Sequence, residues 1–218
     1  PFLIIQFSFM FNCARINLIL MFCSVAGIAI IFVALFVQSN CKFYIDDFQK
    51  DSTVSTWAEH SDTVMAEGKS KASFVLHETG YFRKAVLFTM LNPQPCGAAL
   101  AGIKRNITLD IRKFKFISLK IKGQGQYRGY ELFLKQKGSS VDDYPNYVHY
   151  FEAPLEYEII HLPIRSFKAY WKGEQVEDAK PLDRSHITSM GIVAYGGAHM
   201  AKKQHGVAAL EIEWIRLE

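Results

Sequence analysis

The sequence predicts an all-β fold, an antiparallel β-sandwich preceded by one hydrophobic helix. Apolar and polar side chains alternate with a period of two in many short runs, which is typical of strands with one buried face. Turn-forming residues separate these runs. The helix is predicted because residues 1–39 hold a single charged side chain, Arg15, and residues 16–41 hold none. The chain therefore divides into a hydrophobic segment, 1–39, and a β domain, 40–218.

The hydrophobic segment contains an apolar run over residues 18–37 that only Ser24 and Gly27 interrupt. A helix rises about 1.5 Å per residue, so a run of this length spans the roughly 30 Å of a bilayer's hydrocarbon core. We expect an uncleaved signal anchor; a cleaved signal peptide is the alternative, although its apolar region usually has only about 7–15 residues. The β domain would then lie on the exoplasmic side of a membrane or be secreted. A mitochondrial location is the third alternative.

The predicted strands begin at residue 42. The alternation is clearest over residues 117–121, 130–134 and 210–214, and in the last run Leu210, Ile212 and Trp214 are expected to share the core face. Further strands are expected over residues 42–48, 73–78, 81–90, 98–103, 147–152, 156–162 and 187–195. Short strands with one polar face bury the other face by stacking two antiparallel sheets.

The charge balance argues against nucleic acid as a partner. The chain has 25 Lys and Arg against 21 Asp and Glu, a formal net charge of +4. A nucleic-acid surface needs basic side chains concentrated on one face. Here they are interspersed with acidic ones along the whole β domain.

Patterns of catalytic and metal-binding residues are missing from the sequence. It has no Gly-x-Ser-x-Gly elbow, no His-Glu-x-x-His and no phosphate-binding loop. The seven histidines are scattered, and the close pair His199 and His205 has no further ligands nearby in sequence. We therefore expect no enzyme activity, no metal and no cofactor.

Cys41 and Cys96 are the cysteines of the predicted β domain. In an oxidising compartment they could form one disulfide, and the alternative is two unrelated thiols. Asn106, in Asn106-Ile107-Thr108, is the glycosylation acceptor pattern of this domain. Both features fit an exported domain.

Several short motifs follow one another in a specific order along the β domain. The first are Trp57, Asp62-Thr63-Val64-Met65, Gly68, Ser70, Phe74 and Gly80-Tyr81-Phe82-Arg83. The later ones are Gly97-Ala98-Ala99, Gly123-Gln124-Gly125-Gln126 after the strand 117–121, Leu162-Pro163-Ile164-Arg165-Ser166-Phe167, Met190-Gly191-Ile192 and Leu210-Glu211-Ile212-Glu213-Trp214-Ile215. In this order, over residues 43–215, they resemble the complex I intermediate-associated protein family.

The resemblance implies a galactose-binding-like jelly roll and, for the mitochondrial members of the family, a non-enzymatic chaperone role in the assembly of respiratory complex I. Three loops depart from the family pattern, and in one of them its Phe-x-Gly reads Phe82-Arg83-Lys84. Its Gly-Asp-Gly-Arg turn reads Gly-Gln-Gly-Gln at 123–126, and its Met-Gly-Gly-x-Ser is one residue longer at 65–70. Because binding contacts lie on loops, the fold can persist while a contact changes. The hydrophobic amino terminus favours a membrane-anchored or exported paralogue.

Two classes of binding function follow. The first is a protein-binding module of the assembly-chaperone kind, whose partner would be a complex I assembly intermediate if the chain is mitochondrial. Trp57, Asp62 and Ser70 are the expected contacts. The alternative is a structural role, with Trp57 in the core and Asp62 or Ser70 holding a turn.

The second class is a lectin-like carbohydrate-binding module, because the jelly-roll architecture also serves carbohydrate binding. An exposed aromatic ring can stack on the face of a sugar while nearby polar groups contact its hydroxyls. Tyr144, Tyr147 and Trp171 lie in or beside polar loops and are the candidates. The alternative is that each ring packs on its own loop.

Overall fold

A computed structural model of the chain describes residues 3–11, 14–25, 28–39, 42–64, 68–136, 145–171 and 173–218. The chain forms two compact units, a small amino-terminal one and a larger one that covers Tyr44–Leu217. The larger unit falls within residues 40–218, the range predicted for the β domain.

The amino-terminal unit contains three antiparallel strands in the order β1, β2, β3, with bounds Leu3–Phe11, Ala14–Val25 and Ile28–Ser39. The helix predicted over residues 18–37 is therefore not confirmed. A continuous apolar run has no period of its own, so its sequence does not separate a strand from a helix, and residues rich in Ile, Val and Phe favour strands. Among the residues that the structure describes, no helix is long and apolar enough to cross a membrane.

The β domain consists of two antiparallel sheets, which confirms the predicted all-β sandwich. Its strands are β4 Phe43–Asp47, β5 Ala58–Ser61, β6 Lys71–Glu78, β7 Arg83–Leu91, β8 Leu100–Leu109, β9 Phe116–Gly125, β10 Gly129–Gln136, β11 Asn146–Glu152, β12 Glu158–Pro163, β13 Lys168–Trp171, β14 Glu174–Gln175, β15 Ile187–Tyr195 and β16 Gly206–Leu217. Single turns of 3-10 helix cover Asp62–Val64 and Ile164–Ser166.

One sheet has seven strands in the order β14-β13-β11-β10-β15-β8-β5. The other has the order β12-β9-β16-β7-β6, with β4 paired to β16. The core lies between the sheets because alternate side chains of each strand point inward. Tyr130, Leu132 and Leu134 on β10, and Leu119 and Ile121 on β9, are at most 2% exposed.

The alternation on β16 breaks after Ile212. The pairing register between β16 and β9 shifts between Ile212 and Trp214, so that Trp214 lies opposite Lys120 and Ile215 lies opposite Leu119. An irregularity of this kind inserts one residue and reverses the faces that follow it. The prediction that Trp214 shares the core face of Leu210 and Ile212 is therefore wrong, and Ile215 joins that core instead.

Outside the sandwich core, Trp214 is still buried, at 6% exposure. The guanidinium carbon of Arg216 lies 4.0 Å from the centroid of a Trp214 ring, and Tyr44 packs edge-on against the indole with ring centroids 6.0 Å apart. The indole is thus covered by two neighbours rather than by the facing sheet.

Candidate functional site

The outer face of the seven-stranded sheet carries a set of aromatic and apolar side chains. Since Tyr130, Leu132 and Leu134 of β10 point into the core, Glu131 and Phe133 point to this outer face. Phe133 is buried together with Val148 of β11 and Val193 of β15, and Leu100, Tyr150 and Tyr170 pack against these three residues. The face therefore has a small apolar cluster of its own.

A cleft of about 560 Å³ lies over this face. Its floor is formed by Leu100, Glu131, Asn146, Val148, Tyr150, Tyr170 and Tyr195, and its rim by Gln94, Ala98, Ala99 and the segment 197–200 together with Asp62 and Gly173. A cleft of this volume has the size of ordinary small-ligand sites.

Three tyrosine rings stand next to one another in the cleft. The ring of Tyr150 has its centroid 5.4 Å from that of Tyr170 and 5.1 Å from that of Tyr195, with interplanar angles of 89° and 82°. These edge-to-face contacts hold the central ring in place. Burial raises the pKa of all three hydroxyl groups, so they remain protonated hydrogen-bond donors near neutral pH.

Glu131 is the acidic group at the floor of the cleft. It keeps partial exposure to the cleft, while the surrounding rings remove most of its water. Burial raises the pKa of Glu131 to about 7, and a hydrogen bond from the Tyr150 hydroxyl, which favours the charged carboxylate, opposes that rise. The carboxyl group can therefore change its charge near neutral pH.

Asn146 adds an amide to the same cleft. Its Oδ1 atom is buried and has no hydrogen-bond partner in the part of the chain that the structure describes. A buried acceptor without a partner is unfavourable unless a ligand or water fills the position. The amide is thus available to a donor group in the cleft.

Gln204 fixes one rim of the cleft. Its side chain, 2% exposed, accepts a hydrogen bond from the Gly129 amide at 2.8 Å and donates to the Tyr195 carbonyl at 2.8 Å and the Gly129 carbonyl at 3.1 Å. The backbone N–H of Gln204 donates to the Gly196 carbonyl at 3.0 Å. The loop that follows Tyr195 is therefore tied to the start of β10.

Asp62 and Ser70 fix the other rim. Asp62, 3% exposed, accepts hydrogen bonds from the Ser70 amide at 2.9 Å, the Ser70 hydroxyl at 2.8 Å and the Leu100 amide at 3.3 Å. These bonds hold the start of β8 in place. Asp62 lines the cleft, but both of its carboxylate oxygens are already occupied by this turn.

Trp57 lies in the core instead of the cleft. It is 8% exposed, and its Nε1 donates to Asp46 Oδ2 at 3.2 Å. The same oxygen accepts a hydrogen bond from Arg105 Nη1 at 2.6 Å. The structure therefore gives Trp57, like Asp62 and Ser70, the contacts of a structural residue.

Of the three aromatic residues expected at a sugar site, the two that the structure describes do not line the cleft. Tyr144 lies outside the described residues. Tyr147 points inward at 5% exposure and donates its hydroxyl to the Lys180 carbonyl at 2.6 Å. Trp171, 36% exposed, lies at the β13–β14 edge and does not line the cleft.

The predicted modification sites have separate positions. Cys41 lies outside the described residues, and Cys96 is exposed, with no disulfide partner among the residues that the structure covers. Asn106 is exposed near the end of β8. Within the described ranges, no group of three or more His, Cys, Asp or Glu side chains could hold a metal ion.

Sequence reasoning missed Glu131, Tyr150, Tyr170 and Tyr195. The signal was present in part, because alternation in β10 and β11 places Glu131 and Tyr150 on the faces opposite the core residues Tyr130 and Tyr147. Only the strand order β13-β11-β10-β15 brings the four side chains together.

Comparison with known proteins identifies a family and a fold. The model of the complex I intermediate-associated protein 30 (CIA30) family matches residues 46–212. Among curated proteins, none matches the chain significantly.

Solved structures of similar fold include carbohydrate-binding modules. A family 11 module from Clostridium thermocellum, in complex with a β-1,3-1,4-mixed-linked tetrasaccharide, is 18% identical and has a TM-score of 0.59 over 81% of this chain and 94% of that one. The family 11 module of a cellulosomal cellulase of the same organism is 16% identical, with a TM-score of 0.57 and the same coverage. The fold is a galactose-binding-like β-sandwich.

Proposed function

Given that this chain belongs to the complex I intermediate-associated protein 30 family, we propose that it is a non-enzymatic binding protein that takes a saccharide into its tyrosine-lined cleft. One observation carries the proposal: Tyr150, Tyr170 and Tyr195 share a cleft of about 560 Å³ with the polar groups of Glu131 and Asn146. Ligand clefts typically combine apolar walls with a few convergent polar groups in this way.

A sugar ring has an apolar face of C–H groups and a rim of hydroxyls. Aromatic rings pack against such a face, while carboxylate and amide groups accept hydrogen bonds from the hydroxyls. Both kinds of group are present in the cleft. The likeness in fold to a module solved with a bound tetrasaccharide supports this choice of ligand class.

The number of available carboxyl groups in the cleft favours saccharide binding without hydrolysis of the glycosidic bond. Most glycosidases use two carboxyl groups, one on each side of the scissile bond. Here Asp62 has both oxygens engaged by Ser70 and Leu100, which leaves Glu131 as the single available carboxyl group among the described lining residues. A non-catalytic role agrees with the family assignment.

A glycan array tests the proposal. The full chain is applied in a detergent without a sugar headgroup, because residues 1–39 are strongly apolar. We expect sugar-dependent binding that Tyr150→Ala and Tyr195→Ala abolish. Tyr81→Ala is the matched control, because Tyr81 is 99% exposed and does not line the cleft. Absence of binding on the array, or binding unchanged in both cleft variants, would contradict the proposal.

A protein-binding role of the assembly-chaperone type is the second candidate. Membership of a family named for association with complex I intermediates favours this role. Exposed apolar side chains on the outer face of the six-stranded sheet favour it as well. Met90 of β7 pairs in register with Val207 of β16, Phe88 lies two residues before Met90, and the three are 44%, 56% and 50% exposed. If the chain is mitochondrial, the partner would be a complex I assembly intermediate. Crosslinking to a defined protein that Phe88→Asp abolishes, together with a blank glycan array, would favour this candidate.

We also propose an exported or membrane-anchored location for the β domain. The charge-free stretch 16–41 supports this proposal, and mitochondrial import is the alternative. Fractionation of cells that express the full chain tests it. Recovery in secretory membranes or the medium is expected, and recovery in mitochondria would contradict it.

A further inference from the structure

The charges that line the cleft are of one sign. Asp62 and Glu131 are its acidic groups, His199 is its one imidazole, and neither Lys nor Arg lines it among the described residues. The ring of His199 faces Glu174, with 3.7 Å between Nδ1 and Oε1, on an exposed edge of the molecule. Among the described residues of the floor, no cationic side chain therefore balances an additional negative charge.

Glu131 holds the central position of that floor. Its backbone pairs with Tyr150 of β11 on one side and Val193 of β15 on the other. The Tyr150 hydroxyl satisfies one of its acceptor positions. A carboxylate has about four such positions, so several remain for ligand hydroxyls.

Two basic side chains, Lys202 and Lys203, follow the rim segment 197–200, and both are already engaged. Lys202 pairs with Glu152, and Arg128 approaches the same carboxylate at 3.6 Å. Lys203 Nζ donates to the carbonyls of Gly197 and Ala198 at 2.7 Å each. Recruiting one of these cations for an anionic ligand would break a contact that shapes the rim.

From this distribution of charge we propose that the cleft selects uncharged saccharides, and that Glu131 is the residue that rejects uronic, sialylated and sulfated ones. The inference rests on the proposed function and specifies its substrate class. A carboxylate accepts hydrogen bonds from neutral hydroxyls but repels an acidic group, and the repulsion is stronger where water is largely excluded. Specificity of this kind arises from a repulsive element as well as an attractive one.

Matched glycan pairs test the inference. Each pair consists of a neutral oligosaccharide and its C6-carboxylated derivative, bound to the full chain at about pH 8, where Glu131 is charged. We expect a preference for the neutral member of about tenfold, which corresponds to about 1.4 kcal/mol. Glu131→Gln should remove the preference by strengthening binding of the carboxylated member. Glu156→Gln is the control, because Glu156 is exposed, pairs with Lys122 of the other sheet and does not line the cleft, and it should retain the preference.

A second measurement on the unmodified protein keeps the test informative if Glu131→Gln is poorly folded. The preference should fall from about pH 8 to about pH 6 as the Glu131 carboxyl group takes up a proton. Tyr150, Tyr170 and Tyr195 face Glu131 from the neighbouring strands and stay protonated over this range. Asp62 and His199 are the other titratable groups of the cleft, so His199→Gln is measured in parallel and should keep the pH dependence.

The outcomes separate this inference from the proposed function. No glycan binding at all overturns both. If the carboxylated glycans bind more strongly than the neutral ones and Tyr150→Ala abolishes that binding, the proposed function stands. The selection of uncharged saccharides is then overturned. A preference unchanged in well-folded Glu131→Gln, or a pH dependence that disappears in His199→Gln, overturns the role of Glu131.

Discussion

Tyr150 and Glu131 are directly paired across β11 and β10, and the Tyr150 hydroxyl donates a hydrogen bond to the Glu131 carboxylate on the outer face of the sheet. The ring of Tyr150 contacts those of Tyr170 and Tyr195. A carboxylate and three hydroxyl donors are thereby concentrated in one cleft of a sheet whose opposite face is the core.

The Tyr150 hydroxyl should lower the pKa of Glu131, because a hydrogen bond to the charged form favours it. Tyr150→Phe is therefore expected to raise the Glu131 pKa above its value of about 7. A carbon-13 NMR titration of the Glu131 carboxyl group measures the change. Tyr147→Phe, which removes a hydroxyl on the opposite face, is the control and should leave the titration unchanged.

Glu131 should also make stability depend on pH. Its pKa in the folded state, about 7, is higher than the ordinary glutamate value of 4.5, so the folded protein binds more protons than the unfolded chain between these values. The free energy of unfolding is expected to fall as pH rises from about 4.5 to about 7, beyond which this contribution is constant. Urea denaturation across this range measures the difference between the unmodified chain and Glu131→Gln. An equal slope in the two proteins would contradict the expectation.

Leu132 and Ile212 lie fully buried between the two sheets. Truncation of either to Ala removes apolar contacts and leaves a cavity, so Leu132→Ala or Ile212→Ala should lower the free energy of unfolding by about 2–5 kcal/mol. Val207→Ala is the control, because Val207 is 56% exposed and its loss should cost at most about 0.5 kcal/mol. Similar denaturation midpoints for all three variants would show that the assigned core face is wrong.

Gln204 is expected to matter for the shape of the cleft. Gln204→Ala removes three side-chain hydrogen bonds and leaves the buried Gly129 amide without its acceptor, at a cost of about 1–3 kcal/mol. Hydrogen exchange should accelerate in residues 196–205 and glycan binding should weaken. Gln136→Ala, which removes an acceptor for the Asp183 amide at an exposed position, is the control. Unchanged exchange in Gln204→Ala would contradict the assigned role.

Export of the β domain should be visible at Asn106 and at the two cysteines. In an exported chain, Asn106→Gln should remove a glycan-dependent mass shift. If residues 18–37 span a membrane, the full chain should also stay in the membrane pellet after carbonate extraction. Alkylation of the non-reduced protein shows whether Cys41 and Cys96 are bridged. An unglycosylated Asn106 in chains recovered from mitochondria would contradict export.

The sequence by itself determined the all-β class, most strands of the β domain and much of its core. A period of two is a local property, so Leu119, Ile121, Leu132 and Leu134 could be assigned to the buried face without knowledge of their partners. The motif order over residues 43–215 also identified the family whose model matches residues 46–212.

Only the tertiary structure decided which face Trp214 occupies and where the cleft lies. An extra residue in β16 is invisible in the alternation until the strand is paired with β9, because the register is a relationship between two strands. In the same way, Tyr150, Tyr170 and Tyr195 stand on three strands that are separate in sequence. Long-range strand pairing places the ring centroid of Tyr150 5.4 Å from that of Tyr170 and 5.1 Å from that of Tyr195. No local sequence pattern encodes that pairing.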